Sequence, residues 1–481
     1  MKKTDIDLIP DVVNPTPDYY CTWQTQLYAT SDGKPGEQRR AINENSLFNP
    51  EKPYGWAYFH EKARGDLFIV MDDSWDVPLS NDERYHGSLI LSPDKFPSYS
   101  LESLSKKIKS LGWKGLGGWV CAQESSIYSE GKTETEYWKE RIIAANEAGV
   151  SYWKVDWGAK DHSLQYRKML TDLAAEYAPE LVIEHSIIKE VIPYAQTFRT
   201  YDVPALMSIP MTLEKLVHYS DAPAPKDPAM GLINCEDEAY IAAACGYAMG
   251  IMRHPHSGCL PDGRADMSFP AVHRDLKTKM FEVARAARWH RVAPAFSGGT
   301  FIASSETLDD VWEYRKVEEE IEAWWLGHGI IKDNTVDGVL TKTAPVAIAR
   351  NTELPCVISD IGEKPFCVAS LNPNGVYSVA TLGRSLKKLY CIPKCHVEVN
   401  IGAADTVGIF GEYKSFSLTT TAEYSRVLMQ DIAGDAAYDM TEYVKIENGR
   451  LKIPGQLISF VGREAQPDAD TSEPGVVLKL V

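Results

Sequence analysis

The sequence lacks any run of about 20 apolar residues, the length that a helix needs to cross a bilayer. Its longest mostly apolar stretch, residues 240–252, contains glycine and cysteine and predicts a buried helix instead. No apolar segment of about 7–15 residues follows the N-terminal Met1, so the pattern of a secretory leader is absent. These absences favour a cytoplasmic protein without a membrane partner.

The chain is also poor in basic residues and in paired cysteines. It contains 50 Lys and Arg residues and 67 Asp and Glu residues, and the resulting net charge of −17 repels phosphate backbones. We therefore expect no nucleic-acid partner and favour a neutral substrate. The nine cysteines, an odd number spread over a long chain, indicate reduced thiols rather than a disulfide framework.

What the sequence does contain is a regular alternation of short apolar runs and segments of helical period. At 481 residues the chain favours two domains. The alternation over residues 19–290 is typical of βαβ units, and eight predicted strands match the number in a closed barrel. The predicted strands are 19–28, 67–71, 115–120, 151–156, 181–184, 197–201, 231–234 and 249–253. Predicted helices are 100–111, 133–148, 163–177 and 273–290.

Beyond residue 333 the pattern changes to short β-rich runs separated by Asn-Gly turns. This texture predicts an antiparallel β-sandwich. Its predicted strands include 346–349, 357–359, 366–371, 406–410 and 457–461. The predicted fold class is therefore α/β, with a (β/α)8 TIM barrel over residues 1–332 followed by a C-terminal antiparallel β-sandwich domain over residues 333–481.

The fourth predicted strand carries Lys154 and Asp156 two residues apart. Side chains at positions i and i+2 of a strand leave on the same face, so the two charges point together. Burying such charges costs desolvation energy unless each is matched, and proteins tolerate that cost mainly where chemistry needs it. The alternative is a structural ion pair that caps the strand.

Three further predicted strands end in carboxylates. Asp72 and Asp73 follow the second, Glu184 ends the fifth and Asp202 follows the sixth. In a barrel, the carboxyl ends of the strands meet at one face, so these groups are expected to share a pocket. Glycoside hydrolysis uses such an arrangement, because one carboxylate attacks the anomeric carbon while a second, with a raised pKa, protonates the departing oxygen.

The motifs resemble, in order, those of a known clan: the retaining α-glycosidases that include the α-galactosidases of glycoside hydrolase families 27 and 36. Thr16-Pro17 leading to Trp23 is similar to the clan's first-strand Trp motif. The stretch Asp72-Asp73-Ser74-Trp75 is similar to the Asp-Asp-x-Trp motif of the second strand.

The later motifs continue this resemblance. Lys154-Val155-Asp156 is similar to the Lys-x-Asp nucleophile motif, and Arg199 with Asp202 is similar to the arginine and acid/base aspartate after the sixth strand. The matches span roughly residues 16–260, and the β-sandwich appended in the clan matches the tail.

The resemblance implies a retaining exo-acting hydrolase that releases a terminal α-linked galactose, or a galactose-like sugar, from an oligosaccharide by double displacement. Asp156 would be the nucleophile, kept ionised by Lys154, and Asp202 the acid/base. No cofactor and no metal are implied. The implied sugar-binding residues are Asp72, Asp73, Trp75, Lys154, Arg199, Trp23, Trp119 and Glu184.

Several of these assignments have a structural alternative. Asp72 and Asp73 fit a helix-capping turn, because Asp favours such positions. Arg199 and Asp202 fit a local salt bridge, and Glu184 fits either a stabilising role in the pocket or a cap on the fifth strand.

The sequence also departs from the clan. Family 27 commonly has cysteine two residues after the nucleophile, where this chain has Gly158. The Cys- and Gly-rich signature of family 36 after the fifth strand is missing from the loop 186–196. Because that region helps to set sugar specificity in the clan, the departure concerns galactose more than the hydrolase chemistry.

Other chemistries are open from the residues. His254-Pro255-His256 has the spacing of a metal site. Tetrahedral zinc requires further ligands, so a pocket-rim or structural role is favoured for these histidines. A lyase or aldolase that uses Lys154 as a Schiff base is one rival function. A sugar-binding protein without turnover is the other.

Overall fold

The computed structural model describes residues 1–30, 35–199, 208–219, 231–234, 238–253, 255–256, 278–314, 337–387, 389–447 and 449–481. Within these ranges, no helix combines the length and the apolar character needed to span a membrane. The cysteines in the same ranges are free thiols.

Eight parallel strands close into a barrel, as the sequence predicts. They follow a short N-terminal strand, β1 (Lys2–Lys3). The barrel strands are β2 (Tyr19–Cys21), β3 (Phe68–Met71), β4 (Gly115–Val120), β5 (Val150–Val155), β6 (Val182–His185), β7 (Thr197–Arg199), β8 (Gly231–Asn234) and β9 (Ala248–Ile251). Tyr19 pairs with Phe68 of β3 on one side and Gly250 of β9 on the other, which closes the ring.

The helices are α1 (Trp23–Thr30), α2 (Pro35–Ala41), α3 (Glu44–Phe48), α4 (Leu101–Ser110), α5 (Glu134–Glu147), α6 (Leu164–Tyr177), α7 (Ser208–Tyr219), α8 (Ala239–Cys245), α9 (Met280–Trp289) and α10 (Gly455–Val461). Helices α4, α5 and α6 begin and end within one residue of their predicted positions. The buried helix predicted over 240–252 is wrong in its second half, because α8 ends at Cys245, Gly246 follows with φ +68°, and β9 begins at Ala248. Ser100, Thr133 and Ser163 each accept a hydrogen bond from the backbone N–H three residues later, so they cap α4, α5 and α6. Of the predicted helix 273–290, residues 273–277 lie outside the described ranges.

The predicted strand over 19–28 is wrong in its second half. Strand β2 ends at Cys21, and helix α1 follows. Thr22 accounts for the switch, because its carbonyl oxygen accepts the Gln26 N–H at 2.8 Å and its hydroxyl donates to Gln26 Oε1 at 2.7 Å. Trp23 therefore begins a helix rather than lying on a strand.

The predicted strand over 457–461 is also wrong, because these residues belong to α10. A continuous apolar run of this length fits either element. The helix follows Pro454 and buries Ile458 and Val461, three residues apart, while Phe460 is 60% exposed. This spacing is helical, whereas a strand would bury alternate residues.

The C-terminal strands form three sheets, most of whose strand pairs are antiparallel. The strands are β10 (Phe301–Ala303), β11 (Thr307–Tyr314), β12 (Gly338–Pro345), β13 (Ala347–Arg350), β14 (Cys356–Ile358), β15 (Phe366–Leu371), β16 (Tyr377–Leu382), β17 (Arg384–Lys387), β18 (Leu389–Cys391), β19 (Cys395–Asn400), β20 (Thr406–Phe410), β21 (Tyr413–Thr419), β22 (Val427–Asp431), β23 (Tyr438–Asp439), β24 (Lys445–Glu447), β25 (Arg450–Pro454) and β26 (Gly475–Leu480). The sheet orders are β1-β23-β22-β26-β20-β16-β15-β13-β10, β12-β11-β17-β18 and β14-β19-β21-β25-β24. The pairs β13–β15, β16–β20, β11–β17 and β19–β21 are parallel.

The nine-stranded sheet is buried on both faces. Val379 and Val407 of this sheet share a core with Phe416 of the five-stranded sheet, which makes the predicted sandwich. Ile348 and Phe410, on its other face, belong to the core of the barrel. Strands β1, β10 and β11 pair with strands of the second half of the chain, and the predicted domain boundary after residue 332 stays a prediction.

A buried ion pair joins the barrel to the nine-stranded sheet. Arg285 of α9 donates from Nε to Asp431 Oδ1 at 2.8 Å and from Nη2 to Asp431 Oδ2 at 3.0 Å, and both side chains are 0% exposed. Beside them Trp289 packs so closely on Gly408 that a Cβ there would lie 2.7 Å from the indole ring. The barrel and the sheet are therefore packed through specific contacts.

We predict that Arg285→Met lowers the free energy of unfolding by about 3–5 kcal/mol, because it leaves the Asp431 carboxylate buried without its cation. Urea denaturation of the whole chain measures the change. The double variant Arg285→Met/Asp431→Asn is expected to recover part of the loss, since neither charge remains. Equal losses in the single and double variants would argue against an unpaired charge as the cause.

Candidate active site

Charged side chains from three barrel strands meet at the carboxyl end of the barrel. Lys154 Nζ of β5 lies 2.7 Å from Asp72 Oδ2, just after β3. Arg199 Nη2, at the end of β7, lies 2.8 Å from Asp156 Oδ1, just after β5. Lys154 Nζ is 3.9 Å from Asp156 Oδ2, so the two pairs form one network. The predicted convergence of Asp72, Lys154, Asp156 and Arg199 therefore occurs, while their functional roles stay predictions.

Asp156 is held in its ionised form. Burial raises its pKa, but the Arg199 and Lys154 cations and the Trp119 N–H, which donates to Asp156 Oδ2 at 3.2 Å, bring the pKa below its ordinary value. The Asp156 side chain is 13% exposed, compared with 3% for Asp72 and 0% for Glu184. Asp156 is thus an anionic carboxylate that reaches solvent at the carboxyl end of the barrel, and its role as nucleophile stays a prediction.

Lys154 is held in its charged form. Burial lowers the pKa of this amine, but the Asp72 carboxylate raises it. The resulting pKa is well above its ordinary value. The side chain is 2% exposed. Lys154 can therefore donate hydrogen bonds and stabilise negative charge, but it is a poor nucleophile.

Glu184 lies behind Arg199 and contacts no solvent. Its Oε1 is 2.9 Å from Arg199 Nε, and its Oε2 accepts the Tyr152 hydroxyl at 2.5 Å. Burial raises the pKa of Glu184, although Arg199 opposes the shift. A Cβ at Gly117 would lie 2.9 Å from the Tyr152 Cβ, so the glycine leaves room for this ring inside the barrel. Glu184 therefore contacts Arg199 and Tyr152 rather than solvent, and its predicted roles in the site or as a cap on the strand stay predictions.

The backbone of the nucleophile motif is fixed by Arg167 of α6. This fully buried side chain donates from Nη2 to the Asp156 carbonyl oxygen at 2.9 Å and from Nη1 to the Val155 carbonyl oxygen at 3.2 Å. Burial and the Arg167 cation lower the pKa of the neighbouring His185 well below its ordinary value, so the imidazole is neutral. Sequence reasoning missed Arg167, although an arginine near the start of an amphipathic helix behind the motif was a usable signal.

Asp72 is held by three groups besides its own turn. Its Oδ2 accepts hydrogen bonds from Lys154 Nζ at 2.7 Å and from Cys21 Sγ at 2.9 Å, and its backbone N–H donates to Thr22 Oγ1 at 2.9 Å. Cys21 ends β2 and faces the barrel interior. Sequence reasoning missed Cys21, because the predicted strand 19–28 continues past the residue at which the observed strand ends.

Asp73 belongs to a second cluster at the same rim. Its Oδ2 lies 3.0 Å from Arg39 Nε, and its Oδ1 lies 3.4 Å from His86 Nε2. Burial raises its pKa, but His86 and Arg39 bring it below its ordinary value. The residues that follow Asp73 form a turn rather than a helix, so the helix-capping alternative for the Asp-Asp pair is wrong. Direct contact of either aspartate with a sugar stays a prediction.

The aromatic residues differ in how far they reach the pocket. Trp119 is 1% exposed and donates to Asp156, while Trp75 is 2% exposed and donates from Nε1 to the Trp119 carbonyl oxygen at 2.9 Å. Trp23, partly buried, packs against residues of the barrel interior. Trp157, which sequence reasoning passed over, is 39% exposed and lies 5.3 Å from Trp119 between ring centroids. Trp75 thus supports Trp119, and Trp157 is the most exposed indole beside Asp156.

Asp202, the predicted acid/base, lies outside the described residues, and so does His254 of the His-Pro-His stretch. His256 stacks on Tyr28 with 4.8 Å between ring centroids, and its Nε2 lies 3.2 Å from the Pro53 carbonyl oxygen. These contacts agree with the favoured structural role for His256.

The backbone around Gly158 explains why this chain lacks the cysteine that family 27 commonly has at this position. Its φ is +151°, and a Cβ on it would lie 2.6–2.8 Å from three backbone atoms of Ala122. A cysteine at this position would therefore clash unless the turn after Asp156 moved.

We predict that Gly158→Ala lowers the free energy of unfolding by about 2 kcal/mol or more, because the added methyl meets the Ala122 backbone. Chemical denaturation provides the measurement. Gly65→Ala is the control, since a Cβ there meets only the Gly112 carbonyl oxygen at 3.8 Å. Equal, small effects of the two variants would show that the turn tolerates a side chain.

Comparisons with known proteins accompany this geometry. No family model and no curated protein matches the sequence. Among solved structures, α-galactosidase I from Mortierella vinacea is similar at 11% identity and TM-score 0.37, over 70% of this chain and 95% of that chain. A Bacillus halodurans C-125 protein, provisionally described as an α-N-acetylgalactosaminidase, is similar at 11% identity and TM-score 0.41, over 98% of each chain.

An Anoxybacillus α-amylase is similar at 9% identity and TM-score 0.38, over 97% of each chain. At identities of 9–11% and TM-scores of 0.37–0.41, the similarities assign neither a family nor an activity.

Proposed function

We propose that the protein is a retaining, exo-acting α-glycoside hydrolase of the α-galactosidase type. The observation that carries the proposal is the state of Asp156, an ionised and partly exposed carboxylate at the carboxyl end of a barrel strand. Attack on an anomeric carbon requires such a group. Arg199 and Trp119 hold its two oxygens in fixed directions, which limits the reorganisation needed for reaction.

The proposed reaction is a double displacement. A carboxylate oxygen of Asp156 attacks the anomeric carbon, and the bond to the leaving oxygen breaks as Asp202 protonates that oxygen. Asp202 then removes a proton from water, which attacks the same carbon and releases Asp156 from the ester. Two inversions give net retention. The role of Asp202 rests on the resemblance of its motif.

The proposed substrate is an oligosaccharide or other α-glycoside that ends in galactose or a galactose-like sugar. Lys154 and Arg199 carry N–H donors, and Asp72 and Asp73 carry acceptors, which together suit the hydroxyl groups of a neutral sugar. The loop 186–196, where the sequence departs from the clan, contains a 3-10 helix at Lys189–Tyr194. A galactose-like sugar is therefore proposed rather than galactose alone.

The Schiff-base rival meets an electrostatic obstacle. A lysine must lose its proton to attack a carbonyl, but the ion pair with Asp72 at 2.7 Å raises the pKa of Lys154 well above its ordinary value. Borohydride reduction in the presence of a carbonyl substrate tests this rival, since a covalent adduct on Lys154 would support it. A sugar-binding protein without turnover would bind glycosides but hydrolyse none in a screen of nitrophenyl α- and β-glycosides.

We predict that Asp156→Ala lowers kcat for a nitrophenyl α-galactoside by about 1,000-fold or more, because no group remains to form the ester. Azide is expected to restore turnover and to give the β-glycosyl azide, since a small anion can enter from the vacated side. The exposed Asp172 of α6 supplies the control variant Asp172→Ala. Unchanged activity of Asp156→Ala would remove this residue from the mechanism.

We predict that Asp202→Ala divides substrates by their leaving groups. An alkyl or sugar leaving group needs protonation, so its kcat/KM is expected to fall far more than that of a dinitrophenyl glycoside. Steady-state kinetics on both substrates provide the measurement. Equal losses on the two would contradict the acid role.

A further inference from the structure

The most exposed aromatic ring beside the proposed nucleophile belongs to Trp157. It directly follows Asp156 and is 39% exposed, whereas its neighbours Trp119 and His86 are 1% and 2% exposed. Single exposed apolar residues are common on protein surfaces and need no explanation. Trp157 differs because its position is fixed on several sides.

The backbone and ring of Trp157 are both held. Its carbonyl oxygen accepts the Ala122 N–H at 2.8 Å. Its ring lies 5.3 Å from that of Trp119 and 5.7 Å from that of His86, between centroids. The Arg39 guanidinium lies over the indole at 5.7 Å from the centroid. The ring is thus pre-organised, and a ligand that packs on it pays little ordering entropy.

The position of Trp157 relative to Asp156 indicates which part of a substrate it contacts. The side chains of Asp72 and Asp156 are 3% and 13% exposed, and the Trp157 residue as a whole is 39% exposed. In an exo-acting enzyme the terminal sugar occupies the inner end of the pocket, and the group that leaves points to solvent. Trp157 therefore lies on the leaving-group side of the proposed nucleophile.

The charges around the ring favour a neutral ligand. Arg39 is the cation that lies over the indole, and its Nε and Nη1 are 3.0 Å from Asp73 Oδ2 and 3.3 Å from Glu83 Oε1. The two carboxylates outnumber this cation, so the charges beside the ring do not attract an anionic group. A flat apolar face without a net positive charge beside it suits the C–H face of a neutral sugar ring.

We propose that Trp157 forms a subsite for the leaving portion of the substrate, and that this portion is a neutral hydroxylated ring such as a second hexose. This inference rests on the proposed function, since it presupposes a terminal sugar over Asp156. It adds a specificity-determining residue to the four motifs that resemble the α-galactosidase clan.

The test compares a monosaccharide with a disaccharide on an enzyme that cannot turn over. In the Asp156→Asn background, calorimetry measures the affinity for galactose and for galactosyl-α-1,6-glucose. Adding Trp157→Ala is expected to reduce the ratio of disaccharide to galactose affinity about tenfold, whereas Trp157→Phe keeps most of it. Tyr443→Ala, at a 45% exposed aromatic residue of the C-terminal half, is the matched control and should leave the ratio unchanged.

Each other outcome has a distinct meaning. An unchanged ratio in the Trp157→Ala variant overturns the subsite, and so does an equal loss of affinity for both sugars, which would assign Trp157 to shaping the pocket around Asp156. If the Trp157→Ala variant fails to fold, the Trp157→Phe and Trp157→Leu variants give the comparison, because a subsite for stacking tolerates phenylalanine better than leucine. Failure of both sugars to bind, with no wild-type hydrolysis of nitrophenyl glycosides, rejects the proposed function itself.

Discussion

The contact between Arg199 and Asp156 is the interaction on which the site depends. Burial raises the pKa of this carboxylate, because a low-dielectric environment disfavours its charge. The guanidinium 2.8 Å from Oδ1 and the Lys154 amine 3.9 Å from Oδ2 reverse that tendency and keep the carboxylate ionised. Glu184 Oε1 in turn lies 2.9 Å from Arg199 Nε. The charged groups of this network therefore depend on one another for their ionisation states.

The scaffold around this network explains how the charges keep their positions. Arg167 fixes the carbonyl groups of the nucleophile motif, and Gly158 allows the following turn to approach Ala122. On the neighbouring strand, Gly117 leaves space for Tyr152, whose hydroxyl donates to Glu184. The rigid barrel thus supplies both the positions of the charged groups and the room between them.

Much of the fold could be predicted because its signals are local and periodic. The cap residues Ser100, Thr133 and Ser163 mark helix starts, and each predicted barrel strand overlaps an observed one. The errors at 19–28 and 457–461 arose where the local sequence fits both a strand and a helix. In such segments a tertiary or polar contact determines which element forms. The i, i+2 rule for strands predicted that Lys154 and Asp156 point to the same face. No local pattern predicted Cys21, Arg167 and Trp157 as parts of the site, because their positions depend on contacts between distant segments.

The most direct test of the account is covalent trapping of the nucleophile. A fluorinated α-galactosyl fluoride forms the glycosyl ester faster than water hydrolyses that ester, so the ester accumulates. Mass spectrometry of the digested protein then identifies the labelled residue. The account predicts one label per chain, on Asp156. A label on Asp72 or Asp73, or hydrolysis of α-galactosides with no trapped ester and with inversion at the anomeric carbon, would contradict it.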